Sequence, residues 1–297
     1  MTEEIKQFIA YVSDIKKMSK NTEVSYQRDL LQMAEYLREQ GIGQVEKVTE
    51  TSLNSYILYL EKKGKAAATI SREIASMKAF FRYLFREGRI QEDPSENLKA
   101  PRIERKLPDI LSVEEVQRLL EQPSGSTPKE IRDKAMLELM YATGLKVSEI
   151  IALRVEDVNM AVGFLTCHEG KKERMVPFGR NAKNSLARYL DGTRNAMIRG
   201  EQTDVLFVNC NGRPMSRQGF WKILKYYGRT AQLSMEITPH TLRHCFAAHL
   251  LENGADIHVV QAMLGHAGVA STQMYMALGT NPNTTMRNTY QESHPRK

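Results

Sequence analysis

Residues 237–254 read ITPHTLRHCFAAHLLENG, and this stretch carries the strongest helix signals of the chain. Thr238 is a suitable N-cap, a proline occupies the first helical position, and Gly254 stops the helix. His240 and Arg243 are three residues apart and share one face, close to the start of the helix. A helix N-terminus attracts phosphate through its free N–H groups and its dipole. The pair is therefore either a phosphate-gripping site or, taken alone, a capping or core histidine beside an arginine in a surface salt bridge.

The next stretch, ADIHVVQAMLGHAGVASTQMYM (255–276), predicts a short helix that ends at Gly265. His266 follows in the turn. Tyr275 lies nine residues further on, in a second predicted helix, where a core aromatic is the ordinary alternative.

Two stretches upstream add lysines. In YATGLKVSE (141–149) an apolar helix ends at Gly144, and Lys146 precedes a new apolar pattern. The stretch GFLTCHEGKKERMVPFG (163–179) predicts a β-hairpin with Lys171 and Lys172 at its charged turn. VLFVNC (205–210) predicts a further short strand, and the chain becomes helical again from about Ser216.

The first hundred residues predict a bundle of four helices. One helix is predicted from about Ile5 to Ser19. The next would be capped by Asn21 or Thr22, and the others would begin near Ser52 and Thr69. Basic side chains on the exposed faces form either a solvated surface or a DNA-facing one: Lys62, Lys63, Lys65, Arg72, Lys78, Arg82 and Arg86.

Composition limits the classes that remain. The 297 residues carry a net charge of +7 and have an ordinary hydrophobic content of 41%. Residues 1–100 contain 16 Lys and Arg against 15 Asp and Glu, and residues 101–297 contain 26 against 20, so the basic surplus lies mainly in the second part. It favours an anionic partner such as nucleic acid. No apolar run is long enough to cross a bilayer, and the N-terminus does not resemble a signal peptide. Three scattered cysteines form neither a disulfide framework nor a zinc motif, which favours a cytoplasmic location.

We predict a mainly α protein of two domains. Residues 1–92 form the helical bundle. Residues 93–110, with three prolines and no period, form a linker. Residues 111–297 form a mainly α domain with a small antiparallel β-sheet, in which Ser112 and Glu115 open a helix with a capping box.

The order of these signals is more specific than any one of them. TGLKVSE, a lysine-bearing hairpin, HxxR, LGH and then a tyrosine nine residues later resemble the tyrosine recombinase family over nearly the whole chain. The phrases KERMVPFG, VQAMLGHAGVASTQMY and the terminal HPRK resemble its Xer branch, the chromosome-dimer resolvases. The resemblance implies an N-terminal SAM-like core-binding domain and a catalytic domain with the DNA breaking–rejoining fold.

The resemblance also implies catalysis without metal or cofactor. Tyr275 would attack the scissile phosphate and leave a 3′-phosphotyrosine and a free 5′-hydroxyl. His240 would assist proton transfer, Arg243 and His266 would stabilise the phosphate, and a hairpin lysine would protonate the leaving oxygen. We prefer Lys171 over Lys172 for that lysine, and the expected catalytic set is therefore Lys146, Lys171, His240, Arg243, His266 and Tyr275.

Three departures from the family pattern are visible. Lys146 stands where the family has an arginine, so we expect slower cleavage, whether the lysine is natural or introduced. The hairpin is about one residue shorter than usual, which makes the choice of lysine ambiguous. The stretch between Tyr275 and His294 looks a few residues longer, which alters a segment that in the family docks on the neighbouring protomer.

The expected function is site-specific recombination through a Holliday junction by four protomers, alone or with a related recombinase, on double-stranded DNA. The expected role is bacterial chromosome dimer resolution at the nucleoid, with a DNA translocase as a possible activator. The alternatives are an integrase or excisionase of a mobile element, a non-catalytic DNA-binding regulator, and a metallohydrolase using His240, His244 and His266.

Overall fold

The computed structural model describes residues 1–102, 109–169, 172–265 and 293–296, with only the backbone of Glu169 and Lys172. The chain divides into two compact units, Met1–Lys106 and Leu107–Lys297. Each unit has its own buried hydrophobic cluster.

The first unit is the predicted helical bundle. Its helices are α1 (Thr2–Asp14), α2 (Lys20–Glu39), α3 (Glu50–Lys62) and α4 (Ala67–Arg86), with a short 3₁₀ turn at Val45–Lys47. The predicted apolar faces are buried: Ile70, Ile74, Met77 and Phe81 of α4 are all at most 3% exposed. The helical periodicity therefore identified the core of this unit correctly.

The predicted cap of α2 was wrong. Ser19, rather than Asn21 or Thr22, is the N-cap, and its side chain accepts a hydrogen bond from the backbone N–H of Thr22 at 3.3 Å. The helix that was expected from Ser52 starts at Glu50, because Thr49 and Ser52 form a capping box.

Part of the predicted linker is packed against the first unit. Leu98 is 4% exposed and belongs to the buried cluster of that unit. Ser95 is fully buried, and its hydroxyl and backbone N–H both donate to Asp93. A proline-rich stretch can thus contribute to a core even though it has no helical or strand period.

The second unit contains eight helices among its described residues, and two of them begin at the predicted caps. They are α5 (Val113–Glu121), α6 (Pro128–Thr143), α7 (Val147–Ile150), α8 (Arg180–Arg188), α9 (Arg194–Ile198), α10 (Arg217–Thr230), α11 (Pro239–Glu252) and α12 (Ile257–Leu264). The capping box of Ser112 and Glu115 is confirmed, as is the cap of α11 by Thr238. A kinked turn at Tyr189–Thr193 joins α8 to α9.

The sheet is small and antiparallel, as predicted. Its strands β1 (Val158–Asn159), β2 (Phe164–Glu169) and β3 (Lys172–Pro177) pair in chain order. The strand predicted at 205–210 does not join them. Val205 and Val208 make only isolated bridges, to Arg154 and Pro214, while Leu206 and Phe207 are buried in the core. Their apolar character reflects burial between helices and not membership of the sheet.

Candidate active site

Arg243 lies in the first turns of α11 and is buried, with only 5% of its surface exposed. Its guanidinium donates from Nη1 to the carbonyl oxygen of Gly144 at 2.6 Å and from Nη2 to the carbonyl oxygen of Leu264 at 2.7 Å. Gly144 ends α6 and Leu264 is the last residue of α12, so the cation lies at the negative ends of two helix dipoles. A buried guanidinium needs such acceptors to offset its desolvation.

Gly144 brings α6 close to α11 and α12. It adopts the left-handed conformation, with φ +60°, and a Cβ atom there would lie 2.3 Å from Cδ1 of Phe246 and 2.9 Å from Cδ2 of Leu264. Glycine is therefore required both by backbone conformation and by space. This close approach also puts its carbonyl oxygen within reach of Arg243.

Lys146 directly precedes α7, two residues after Gly144. It is the N-cap residue of that helix, and its backbone N–H donates to Oε2 of Glu149 at 2.7 Å. Its side chain lines a cavity of about 290 Å³ together with Thr166, Cys167 and His168 of β2. The junction after α6 thus supplies an acceptor for Arg243 and a lysine that faces a cavity.

A bidentate ion pair joins this junction to the hairpin. Arg174 of β3 donates from Nη1 and Nη2 to the two carboxylate oxygens of Glu149, at 2.8 and 2.9 Å. Its Nε donates to the carbonyl oxygen of Met263 in α12 at 3.0 Å. Both side chains are largely buried, which makes the pair a structural link rather than a solvated contact. The sequence motifs contained Glu149 and Arg174 but did not indicate that they meet, because 25 residues and two elements separate them.

The two histidines at the start of α11 differ in exposure. His240 is exposed and His244 is half-buried, and their ring centroids are 6.3 Å apart. Burial, with further contributions from the nearby His240 and Arg243, lowers the pKa of the His244 imidazole. Within the described ranges, no cluster of three His, Cys, Asp or Glu side chains is placed to hold a metal ion. His266 of the alternative metal set lies outside those ranges.

The hairpin has the predicted position. Strands β2 and β3 pair as far as Glu169 with Lys172. Lys171 and the side chain of Lys172 lie outside the described residues, as do His266 and Tyr275. Their assignment therefore stays a prediction from the sequence.

Another group on the hairpin was missed. His168 of β2 lies 3.0 Å from Asp157, measured from Nε2 to Oδ1, and 3.1 Å from Glu173, measured from Nδ1 to Oε1. The hydrogen bond to Asp157, followed by the charges of both carboxylates, raises the pKa of His168. The sequence analysis identified the charged turn of this hairpin but assigned no role to His168, Asp157 or Glu173.

The basic residues predicted for DNA contact in the first unit have different surroundings. Lys62, Lys63, Lys65 and Arg82 are exposed. Arg72 instead donates from Nε and Nη2 to the buried carboxylate of Asp29 at 2.7 and 2.8 Å. Lys78 donates to the carbonyl oxygen of Glu96 at 3.0 Å.

Helix α10 presents a basic face that sequence reasoning overlooked. Arg217, Trp221, Lys225 and Arg229 recur every four residues, and Nζ of Lys225 lies 4.0 Å from the ring centroid of Trp221. Trp221 is 42% exposed, which is high for the one tryptophan of the chain. The four-residue spacing was available in the sequence and would have identified this face.

The terminal residues 293–296 contact α6 of the same chain. His294 is 1% exposed, and its Nε2 lies 3.2 Å from the carbonyl oxygen of Tyr141. Burial lowers the pKa of its imidazole to about 3. Arg296 donates from Nε and Nη2 to the carboxylate of Glu138. His294 and Arg296 thus pack within their own chain, while the stretch between Tyr275 and His294, expected to dock on a neighbouring protomer, lies outside the described residues up to position 292.

Among the helices of the described ranges, none combines the length and the apolar character needed to cross a membrane.

The chain matches two known family descriptions. Residues 109–281 match the phage integrase family, and residues 5–88 match the phage integrase N-terminal SAM-like domain. Together these two matches span both units.

Curated relatives match nearly the full length. The chain is 44% identical over 295 residues to the tyrosine recombinase XerD of Oceanobacillus iheyensis, covering 98% of each chain. It is 40% identical over 294 residues to the tyrosine recombinase XerD of Halalkalibacterium halodurans, covering 98% of this chain and 97% of the relative.

Solved structures of recombinases also match this chain. The crystal structure of XerA recombinase is matched with a TM-score of 0.53 and 26% identity, covering both chains completely. The XerH recombinase in its pre-cleavage complex is matched with a TM-score of 0.76 at 20% identity, covering 93% of this chain and 92% of that one, which shows a common fold. The two family matches and the full-length relatives agree with the buried arginine of α11 and the helix junction at Lys146. The chain therefore belongs to the phage integrase family of tyrosine recombinases, in its Xer branch.

Proposed function

We propose that this site-specific tyrosine recombinase resolves chromosome dimers by cutting DNA with Tyr275. The observation that carries the proposal is Arg243, buried at the ends of α6 and α12 and held by their carbonyl oxygens. Leu264, one of its acceptors, lies two residues before His266 in the chain. The two family groups expected to bind the scissile phosphate, Arg243 and His266, are therefore linked to one helix end.

The chemistry follows from the residue types. The phenol oxygen of Tyr275 attacks phosphorus, and the bond from phosphorus to the 5′-oxygen breaks. Since an unperturbed tyrosine has a pKa near 10, a base such as His240 is needed to take its proton at neutral pH. The 3′-phosphotyrosine conserves the energy of the broken bond, so religation needs no nucleotide cofactor.

Three further groups complete the reaction. Arg243 and His266 donate to the non-bridging oxygens as charge develops on them. A lysine of the hairpin, Lys171 in preference to Lys172, gives its proton to the departing 5′-oxygen. Without that proton the leaving group would be a strongly basic alkoxide, which makes the general acid important.

Lys146 makes this form slow. An arginine at this position would place two N–H donors on the phosphate in a fixed fork, whereas a lysine offers a single point charge. Losing one preorganised donor at a comparable anionic site costs about 10²–10³ in rate. The cleavage step, rather than DNA binding, would carry most of the loss.

We assign residues 1–92 and 111–297 as the two DNA-contacting domains, joined by the linker 93–110. The exposed lysines Lys62, Lys63 and Lys65 would approach phosphates from the first domain. The basic face of α10, with Arg217 and Arg229, would do so from the second.

The active assembly we propose is a tetramer on two recombination sites that passes through a Holliday junction. The partner protomers are copies of this chain or of a related recombinase, and a DNA translocase activates them in the cytoplasm at the nucleoid. A lambda integrase tetramer bound to a Holliday junction has the same fold, with a TM-score of 0.72 at 17% identity, which is compatible with this assembly.

The test is covalent attachment to DNA. A DNA duplex is first selected from a random-sequence pool by its binding to the Tyr275→Phe protein. The duplex is then nicked near its centre, so that the fragment released by cleavage diffuses away. This nicked duplex is incubated with the unmodified protein. We expect a protein–DNA adduct that survives denaturation, forms in EDTA, and is absent with Tyr275→Phe. Binding without an adduct, on any selected duplex and also after Lys146→Arg, would instead indicate a DNA-binding regulator. An adduct that requires a divalent metal would favour a metal-dependent enzyme.

A further inference from the structure

Near the turn of the hairpin, one histidine lies between two carboxylates. His168 of β2 places Nε2 3.0 Å from Oδ1 of Asp157 and Nδ1 3.1 Å from Oε1 of Glu173. A neutral imidazole has a hydrogen on only one ring nitrogen, whereas a carboxylate only accepts. The Nε2 contact with Asp157 is a hydrogen bond, and the Nδ1 contact with the exposed Glu173 is at ion-pair distance. A carboxylate beside each ring nitrogen favours the charged imidazolium.

Asp157 is a fixed anchor for this cation. Its side chain is 8% exposed, and its Oδ2 accepts a hydrogen bond from the backbone N–H of Arg154 at 2.8 Å. Its own carbonyl oxygen accepts from the backbone N–H of Thr166 in β2 at 2.9 Å. Because Asp157 is held from two sides, a side chain bound to it is held in turn.

Glu173 places the cluster at the end of the hairpin that matters for catalysis. His168 and Glu173 are direct partners across β2 and β3, and the next pair outward is Glu169 with Lys172. Lys171 is the residue directly before Lys172 in the sequence. The end of a two-stranded ribbon frays readily unless a tertiary contact holds it, and here the cluster supplies such a contact.

The cluster also borders the candidate active site. His168 and Asp157 line the cavity of about 290 Å³ that is also lined by Lys146, the N-cap of α7, and by Glu149 within that helix. The charged groups around His168 are thus Asp157 before β1, Glu173 on β3, and Lys146 with Glu149 across the cavity. The two carboxylates in contact with the ring outweigh the more distant groups, of which Glu149 is itself paired with Arg174.

We propose that His168, in its charged form, is a positioning residue that holds the β2–β3 hairpin so that its lysine can protonate the leaving 5′-oxygen. This inference rests on the proposed function. It names a residue outside the expected catalytic set, and one whose effect is confined to the departure of the leaving group.

The position of His168 between two carboxylates predicts how protonation of the leaving group changes with pH. The two carboxylates raise the pKa of His168 above its ordinary value of about 6.5. The bridge is therefore complete below that ordinary value and is lost as the pH rises through the raised pKa. Protonation of the leaving group should weaken over the same alkaline range.

The experiment compares two leaving groups. One nicked duplex, chosen by binding to the Tyr275→Phe protein, is prepared with the normal 5′-oxygen at the scissile phosphate and with sulfur in its place. Thiols have pKa values near 8.5, so a thiolate departs without a proton donor. We expect His168→Ala to slow cleavage of the oxygen substrate about 10–100-fold, because misplacing a general acid costs less than the roughly 10²–10⁴-fold that the acid contributes, and to leave the sulfur substrate unchanged.

Two further variants sharpen the result. His168→Lys keeps a cation between the carboxylates, so it should restore most of the rate and remove the alkaline decline. His258→Ala, which removes an exposed histidine of α12, should change neither substrate.

Several outcomes would overturn the inference. Equal slowing on both substrates would mean that His168 has a merely structural role, and an unchanged rate on the oxygen substrate would mean that it has none. If the unmodified protein forms no Tyr275-dependent adduct even on the sulfur substrate, the proposed function itself fails, and the inference fails with it. If the adduct forms and Lys171→Ala shows the sulfur rescue while His168→Ala does not, only the inference fails.

Discussion

Lys146 occupies a position that the surrounding structure fixes well. Its backbone is held by Glu149, and Glu149 is held by both terminal nitrogens of Arg174. Two residues earlier, Gly144 gives its carbonyl oxygen to Arg243. A different side chain at position 146 would therefore start from the same backbone position. What changes between lysine and arginine is the geometry of the donors and not the architecture around them.

The corresponding prediction is a gain of activity. We expect Lys146→Arg to accelerate single-turnover cleavage of a nicked duplex by about 10²–10³-fold, because it restores a forked pair of donors. The DNA dissociation constant should change far less. The measurement is the rate of adduct formation with enzyme in excess, and Lys16→Arg, at an exposed lysine of the first unit, serves as the matched control. A rate no faster than that of the unmodified protein would show that Lys146 does not limit cleavage.

The element that positions the site is the junction of α6, α11 and α12 at Gly144. We expect Gly144→Ala to destabilise the second unit by about 2–4 kcal/mol, since it combines an unfavourable positive φ with overpacking against Phe246. That corresponds to a fall in Tm of roughly 5–15 °C for a unit of this size. Adduct formation should fall as well, because the acceptor of Arg243 moves.

Gly254→Ala is the matched control for that change. Gly254 also has a positive φ, +87°, but a Cβ atom there would meet nothing within 4 Å. It should therefore cost only about 1–2 kcal/mol. Thermal unfolding followed by circular dichroism distinguishes the two variants. Equal losses of stability would mean that the contact with Phe246 is not what restricts position 144.

Elements with their own start and stop signals could be predicted from the sequence, and contacts between elements could not. Thr238 and Ser112 identified two helix starts because caps act within one turn. The apolar run at 205–210 was misassigned, since burial between helices and burial in a sheet give the same pattern.

At the candidate site too, signals within one element could be predicted from the sequence and contacts between elements could not. Arg243 was recognised through its motif, but its burial and its carbonyl acceptors depend on the ends of two other helices. The ion pair of Glu149 with Arg174 and the contact of His168 with Asp157 each join residues that are 11 or more positions apart in sequence. The cross-strand pair of His168 and Glu173 is closer in sequence. A hairpin register was needed to bring Glu173 opposite His168.

At the scale of the whole molecule, two cores imply two folding units. The aromatic residues Phe8, Phe80 and Phe81 are at most 1% exposed in the first cluster, and Phe220 and Phe246 are fully buried in the second. A buried phenylalanine contributes about 1.5–3 kcal/mol, so each unit holds several such contributions of its own. The buried clusters of the two units have no residue in common.

We therefore expect the fragments 1–106 and 107–297 to fold separately. Each should show a cooperative thermal transition, and their far-ultraviolet circular dichroism spectra should sum to that of the intact chain, because neither needs the other to complete its core. A fragment 107–212, which lacks α10, α11 and α12, is the control and should not melt cooperatively, since it loses Phe220 and Phe246. If the fragment 1–106 had no transition of its own, its stability would have to come from the second unit, and the two cores would not be independent.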